Sequence, residues 1–188
     1  MRRILIVLLF SLSLAARAAT VALTDASVSQ LQAAMAGGTL TAEKLTELFL
    51  ARIAAYEKAG PKLNAIITLN PKALDEARAL DAERKAKGPR GPLHGIPVLL
   101  KDNFETTDLP TTAGFYALRD SYPAQDAEPT RRLRAAGCII LAKTNMSEFA
   151  SGASMSNLAG QILNPHALDR DPSGSSGGNA KLFAIAHW

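Results

Sequence analysis

The chain has 188 residues, which is enough for one domain with a hydrophobic core. Its 21 basic and 17 acidic residues give a formal net charge of +4, but three arginines lie among the first 18 residues. Without these three the two signs nearly balance, and no clustered basic face indicates a nucleic-acid partner. Cys138 is the single cysteine, which excludes an internal disulfide.

Residues 1–18 have the pattern of a cleavable signal peptide. Arg2 and Arg3 form a positive start, residues 4–14 are almost wholly apolar, and Ala16-Arg17-Ala18 offers a cleavage site. The apolar segment is shorter than the roughly 20 residues that span a bilayer. We therefore expect a periplasmic or secreted protein without a stable membrane span after cleavage.

Residues 19–88 are predicted to form a mainly helical N-terminal region. The spacing of apolar residues predicts three helices, the first capped by Thr24 or Asp25 and the second by Thr41. A short buried strand is predicted over residues 65–69, between the second helix and the third.

Residues 89–178 are predicted to have an α/β structure. Apolar runs predict strands over residues 96–100 and 138–142, and an amphipathic segment predicts a helix over 127–136 between them. Strands that alternate with helices favour a mixed or largely parallel sheet flanked by helices.

The last part of this region is harder to assign. A short helix is predicted through Met146 and Phe149, with Thr144 or Asn145 as its cap. Small and turn-forming residues then dominate up to Gly178, and no helical or strand period is visible. This stretch is predicted to consist of loops.

Two motifs carry the candidate chemistry. Lys101 directly follows an apolar strand, and Asp102 and Asn103 come next. A lysine acts as a base only when it is neutral, and burial would lower its pKa from the ordinary value near 10.4. In the second motif, Gly174-Ser175-Ser176-Gly177-Gly178, glycines allow close backbone approach and successive amides can form an anion-binding nest.

These motifs and the segment Lys143–Phe149 resemble, in order and spacing, the amidase signature family. The resemblance covers about residues 25–178 and implies part of an amidase-signature fold. It also implies hydrolysis of a carboxamide C–N bond by a Lys–Ser–Ser triad acting on a small-molecule substrate. Lys101 would be the base, and Ser175, preceded by a cis peptide bond, would relay a proton to the nucleophilic serine.

The resemblance assigns further positions with weaker roles. The residues implied to support the catalytic pair are Asp102, Asn103, Ser176 and Gly177. The residues implied to line the acyl side of the substrate pocket are Ala150, Ser151, Gly152 and Ser154.

The nucleophilic serine of the triad would follow well beyond residue 178, and residues 179–188 depart from the family's pattern. The sequence therefore leads us to expect a truncated fragment without activity of its own. No cofactor and no metal site is expected, because the histidines and the cysteine lack ligand spacing.

Other interpretations of the Ser/Gly run differ in strength. It matches the G-x-S-x-G turn of α/β-hydrolases, but no strand precedes it and no acidic residue follows it. A phosphate-binding loop is excluded because Lys181 lacks a Gly-Lys-Ser/Thr context. Two alternatives stay open: a non-catalytic protein that binds an amide or acyl group, and a fragment of the A-type subunit of an amidotransferase. The leader argues against the second alternative.

Overall fold

The computed structural model describes residues 25–179. The signal peptide predicted for residues 1–18 and nearly all of the segment 179–188 lie outside the described residues. Within the described range the helices and strands follow the order α1 (Val28–Ala36), α2 (Ala42–Glu57), β1 (Ile66–Leu69), α3 (Ala73–Lys87), β2 (Pro97–Lys101), α4 (Glu128–Ala135), β3 (Ile139–Thr144), β4 (Met155–Ser156) and β5 (Gly160–Gln161). Between residues 25 and 179, no helix has both the length and the apolar character needed to cross a bilayer.

The central strand of the main sheet is β3. Its parallel neighbour is β2 and its antiparallel neighbour is β1, so that the strand order is β1-β3-β2. All six residues of β3 are buried, as its apolar start leads one to expect. The predicted mixed α/β fold is confirmed, and β1 joins the helical region 19–88 to the sheet that the later strands form.

The sheet separates two hydrophobic clusters. The larger cluster packs α1, α2 and α3 against one face, which we call the helical face, and includes Leu45, Ile139 and Ala142. The smaller cluster covers the second face and consists of Leu100, Leu109 and Ile140 with their neighbours. Side chains alternate between the two faces along β2 and β3, except where the register shifts: Leu141 and Ala142 are consecutive, yet both belong to the larger cluster.

Of the N-caps predicted for the first two helices, one is wrong and one is confirmed. The cap predicted at Thr24 or Asp25 is wrong, because α1 begins after Ser27. Gln30 N–H donates to Ser27 Oγ at 3.3 Å, and Gln30 Oε1 accepts from Ser27 N–H at 2.8 Å, which together form a capping box. The prediction for α2 is confirmed, since Thr41 Oγ1 accepts from Lys44 N–H at 3.0 Å.

The helix predicted through Met146 and Phe149 is also wrong. The strand β3 extends to Thr144, and only a 3-10 turn follows at Glu148–Ala150. Phe149 has φ 48° within that turn, a left-handed conformation that breaks any continuous helix. The hairpin of β4 and β5 escaped prediction because two-residue strands are too short to show alternation.

Candidate active site

The side chain of Lys101 extends from the last position of β2 to the half-buried Ser175. Its Nζ donates to Ser175 Oγ at 2.5 Å, although 74 positions separate the two residues in sequence. Only 9% of the Lys101 surface is exposed, and burial lowers the pKa of its ammonium group below the ordinary value. A buried amine in contact with a hydroxyl can take the hydroxyl proton when the amine is neutral.

Ser175 is held by its backbone as well as by Lys101. The Gly174–Ser175 peptide bond is cis, the geometry that the resemblance implies at this position. Ser147, which follows β3, donates its backbone N–H to the Ser175 carbonyl at 3.1 Å. Because β3 lies beside β2, this bond fixes Ser175 relative to the strand that carries Lys101.

The rest of the Ser/Gly loop, residues 173–178, is tied down at both ends. Ser154 Oγ donates to the carbonyl of Ser173. At the other end, Gly178 N–H donates to the carbonyl of Asn145 at 3.0 Å. The loop is therefore anchored to two segments that follow β3 and is not a flexible linker.

Glycine is required in this loop because side chains do not fit. A Cβ atom at Gly174 would lie 2.6 Å from Ser147 Oγ and 2.9 Å from the carbonyl oxygen of Gly152. One at Gly177 would lie 2.8 Å from Ser154 Oγ. The loop packs directly on its neighbours, and this close approach is what positions the Ser175 hydroxyl at the lysine.

Asp102 lies next to Lys101 in sequence but forms a separate polar network. Asp102 and Lys143 are both fully buried, and Lys143 Nζ lies 3.3 Å from Asp102 Oδ1. The other carboxylate oxygen accepts from Thr112 N–H at 3.1 Å and from Thr112 Oγ1. Burial lowers the pKa of the Lys143 ammonium group, and the Asp102 carboxylate opposes that effect.

Lys143 has further partners in the loop that follows β2. Its Nζ donates to the carbonyl of Pro110 at 3.0 Å and to Thr111 Oγ1 at 2.9 Å. The ammonium group is therefore supplied with acceptors although it is out of contact with water.

The structure brings some of the predicted pocket residues to the Ser/Gly loop. Gly152 accepts from Ser147 Oγ at 3.2 Å, and Ser154 is fully buried against Ser173. Ala150 and Ser151 are exposed on the same segment.

The predicted supporting residues also differ in their surroundings. Gly177 is buried and Asp102 is fully buried, whereas Ser176 and Asn103 are exposed. Asp102 contacts Lys143 and Thr112 in the interior, whereas Ser176 and Asn103 face solvent.

Sequence reasoning gave Lys143, Asn145 and Ser147 no place in the candidate site, although Asn145 was a possible helix cap and all three lie in the segment that carries the resemblance. All three are fully buried, and Asn145 Nδ2 donates to the carbonyl of Asn64 at 2.9 Å. The available signal was a run of polar residues directly after an apolar buried strand, since buried polar groups need partners. Within residues 25–179, no group of three or more histidine, cysteine or acidic side chains is arranged to hold a metal ion.

Residues 44–187 match the family model described as Amidase, a range that extends into the segment predicted to diverge. Two curated relatives are A-type subunits of glutamyl-tRNA(Gln) amidotransferase. The protein from Salinispora arenicola is 43% identical over 164 residues, covering 86% of this chain and 33% of the relative. The protein from Chloroflexus aurantiacus is 45% identical over 160 residues, covering 84% and 32%.

Two solved structures also resemble this chain in sequence and fold. The native peptide amidase from Stenotrophomonas maltophilia is 45% identical, with a TM-score of 0.80 over 84% of this chain and 33% of that one. A 6-aminohexanoate cyclic dimer hydrolase is 29% identical, with a TM-score of 0.72 over 88% and 33%. The chain thus spans about a third of the length of the relatives it matches. With a family model matching most of its length, and with these relatives, the chain belongs to the amidase family.

Proposed function

We propose that this chain provides the base and the proton-relay serine of a site that hydrolyses carboxamide C–N bonds. Lys101 is the base, and Ser175 passes a proton between the lysine and a nucleophilic serine. The observation that carries the proposal is the 2.5 Å contact between Nζ of the buried Lys101 and Oγ of the half-buried Ser175. Burial favours the neutral amine, which is the form that can accept a proton.

The products would be a carboxylic acid and either ammonia or an amine. The substrate class is a small carboxamide, for which the name of the peptide amidase relative is one precedent. The nucleophile that the family resemblance implies lies outside residues 25–179. We therefore expect turnover only from a polypeptide that also supplies this serine.

The test uses the longest polypeptide that the gene encodes. Ammonia release is measured from an amidated peptide, an aromatic carboxamide and free glutamine. Lys101→Ala is expected to reduce the rate by about 10²–10⁴-fold, the usual scale of general-base catalysis. Arg78→Met, which removes an exposed cation from the contact between α2 and α3, is the control and should retain the rate. Full activity of Lys101→Ala would contradict the proposed role.

A second candidate is the A-type subunit of an amidotransferase. The curated relatives described above favour it, because both carry that name, at 43% and 45% identity. Such a protein would release ammonia from glutamine in preference to the other two amides. The same panel therefore separates the two candidates.

We also propose that the protein is exported. The proposal rests on the charged start, apolar segment and Ala16-Arg17-Ala18 site in the first 18 residues. N-terminal sequencing of the protein from a bacterial periplasmic fraction should begin at Ala19. An intact Met1 on protein that stays in the cytoplasm would overturn this proposal and would strengthen the amidotransferase alternative.

A further inference from the structure

The Asp102–Lys143 ion pair is buried on the opposite side of the sheet from Lys101 and Ser175. In β2, Leu100 belongs to the cluster on the second face, so Lys101 points to the helical face and Asp102 to the second face. The register pairs Leu100 with Lys143 and Lys101 with Thr144. The lysine–serine pair and the ion pair are therefore back to back, separated by the thickness of one sheet.

A contribution to stability does not explain why an ion pair is buried here. Both side chains are fully buried, and taking two charges out of water costs about as much as their attraction returns. An apolar pair would fill the same space at no greater cost. What an apolar pair could not supply is a pair of opposite charges on the side of the sheet opposite Lys101.

The carboxylate of Asp102 is held in place by Thr112. One of its oxygens accepts from Thr112 N–H at 3.1 Å and from Thr112 Oγ1. An uncompensated negative charge one residue from Lys101 would stabilise the Lys101 ammonium ion. Through an effective dielectric constant of about 20, a unit charge about 10 Å away changes a proton affinity by roughly tenfold.

We propose that Lys143 is a positioning residue that neutralises Asp102, so that Asp102 can fix the end of β2 without holding Lys101 in its charged form. Two backbone hydrogen bonds of Asp102 fix the end of β2. Asp102 N–H donates to the carbonyl of Thr144 at 3.2 Å, and the Asp102 carbonyl accepts from Ala113 N–H at 3.2 Å. The inference rests on the proposed role of Lys101 as a base.

Other charged groups surround the ion pair on the second face. Asp108 favours the charged form of Lys143, and Asp108 is itself bound by Arg134 of α4 at 2.5 Å. Arg134 also pairs with Asp126 at 2.9 Å. These three groups carry two negative charges and one positive charge. Substitutions at Asp102 and Lys143 leave all three in place, so their effect on Lys101 is common to the proteins that are compared.

The experiment measures the titration of Lys101 directly in the 188-residue chain. Lysine labelled with ¹³C at Cε is followed by NMR from neutral to alkaline pH, and the Lys101 signal is assigned by its loss in Lys101→Arg. Lys143→Met and Lys143→Gln each remove the charge and leave Asp102 uncompensated. Each is expected to raise the proton affinity of Lys101 by about tenfold. The double variant Asp102→Asn/Lys143→Met removes both charges and should return it to the wild-type value.

Two substitutions of Lys143 are needed because the Gln and Met side chains form different contacts in the interior. Gln can still donate a hydrogen bond towards Pro110 and Thr111, whereas Met cannot. A purely structural effect would differ between them and would not be reversed by Asp102→Asn. Arg78→Met is the matched control, because it also removes one positive charge but lies in an exposed ion pair.

The outcomes separate this inference from the proposed function. If wild-type Lys101 titrates at the ordinary lysine value, the proposed base role fails. If wild-type Lys101 titrates low and both Lys143 variants leave it unchanged, the base role stands and the ion-pair inference is overturned. A rise in both variants with reversal in the double variant supports the inference.

Discussion

Ser147 donates its backbone N–H to the carbonyl of Ser175 at 3.1 Å, which joins the segment after β3 to the Ser/Gly loop. Lys101 reaches the same serine from β2, the strand directly beside β3. Ser175 is therefore held from two sides, through its backbone by the segment that follows β3 and through its side chain by the last residue of β2. Because β2 and β3 are neighbours, these two contacts bring the amine and the hydroxyl together.

The fit of the Ser/Gly loop predicts the effect of a single added methyl group. Gly174→Ala would place Cβ 2.9 Å from the carbonyl oxygen of Gly152, which cannot move without moving the backbone. We expect the free energy of unfolding to fall by about 1–3 kcal/mol, the usual cost of overpacking. Urea denaturation measures the change. Gly91→Ala is the control because a Cβ there meets open space, and equal effects from both substitutions would contradict the packing argument.

A buried carboxylate at the end of α2 predicts a strong difference between Glu and Gln. Glu57 is 3% exposed, and its two oxygens accept from Ala65 N–H at 2.8 Å and from Ile66 N–H at 2.7 Å. Glu57→Gln replaces one acceptor by an N–H₂ donor, which leaves a buried backbone N–H without a partner. We expect a loss of about 1–3 kcal/mol in the free energy of unfolding, measured by urea denaturation.

The control for this substitution is Glu47→Gln. Glu47 lies on the exposed face of α2 and pairs with Lys44 in contact with water. Its substitution should change the free energy of unfolding by no more than about 0.5 kcal/mol. A comparable loss in both variants would show that the backbone contacts of Glu57 contribute little.

The overall α/β order could be predicted because its signals are local. The pairing of Lys101 with Ser175 was instead implied by the resemblance to the amidase signature family, because no local pattern joins residues 74 positions apart. Residues 66–69 and 97–101 are short apolar runs bounded by turn residues, which are typical of buried strands.

The parts that could not be predicted depend on contacts between distant residues. Asp102 meets Lys143 across two strands, and no local pattern reveals that pairing. Phe149 adopts a left-handed conformation inside a segment whose composition favours a helix. Its backbone N–H donates to the carbonyl of Ala113 at 2.9 Å, so a tertiary contact accompanies this departure from local preference.

The larger core predicts a conventional cavity effect. Leu45 of α2 is fully buried in the cluster on the helical face, next to the sheet. Leu45→Ala should lower the free energy of unfolding by about 2–5 kcal/mol, because the removed atoms leave a cavity that rigid neighbours cannot fill. Leu118→Ala, at a leucine that is 36% exposed, should cost much less. Similar losses at the two leucines would place Leu45 outside the stabilising core.

The buried amine of Lys101 predicts how stability depends on pH. Burial lowers the pKa of Lys101 in the folded chain, so the unfolded chain binds this proton more tightly. Stability therefore rises with pH between the lowered pKa and the ordinary value near 10.4. Lys101→Met removes the buried amine and this contribution. We expect the variant to be more stable than wild type at neutral pH, with an advantage that shrinks as pH rises.

The quantity to measure is the difference in the free energy of unfolding between wild type and Lys101→Met, from urea denaturation at several pH values. Lys143 contributes with the same sign as Lys101, and Cys138 with the opposite sign, because burial raises the pKa of its thiol. Both groups are common to the two proteins, so they cancel in the difference. Lys44→Met removes an exposed lysine as the control. A difference for Lys101→Met that stays constant with pH would mean that folding does not disfavour the charged amine, and Lys101 would then be a poor base at neutral pH.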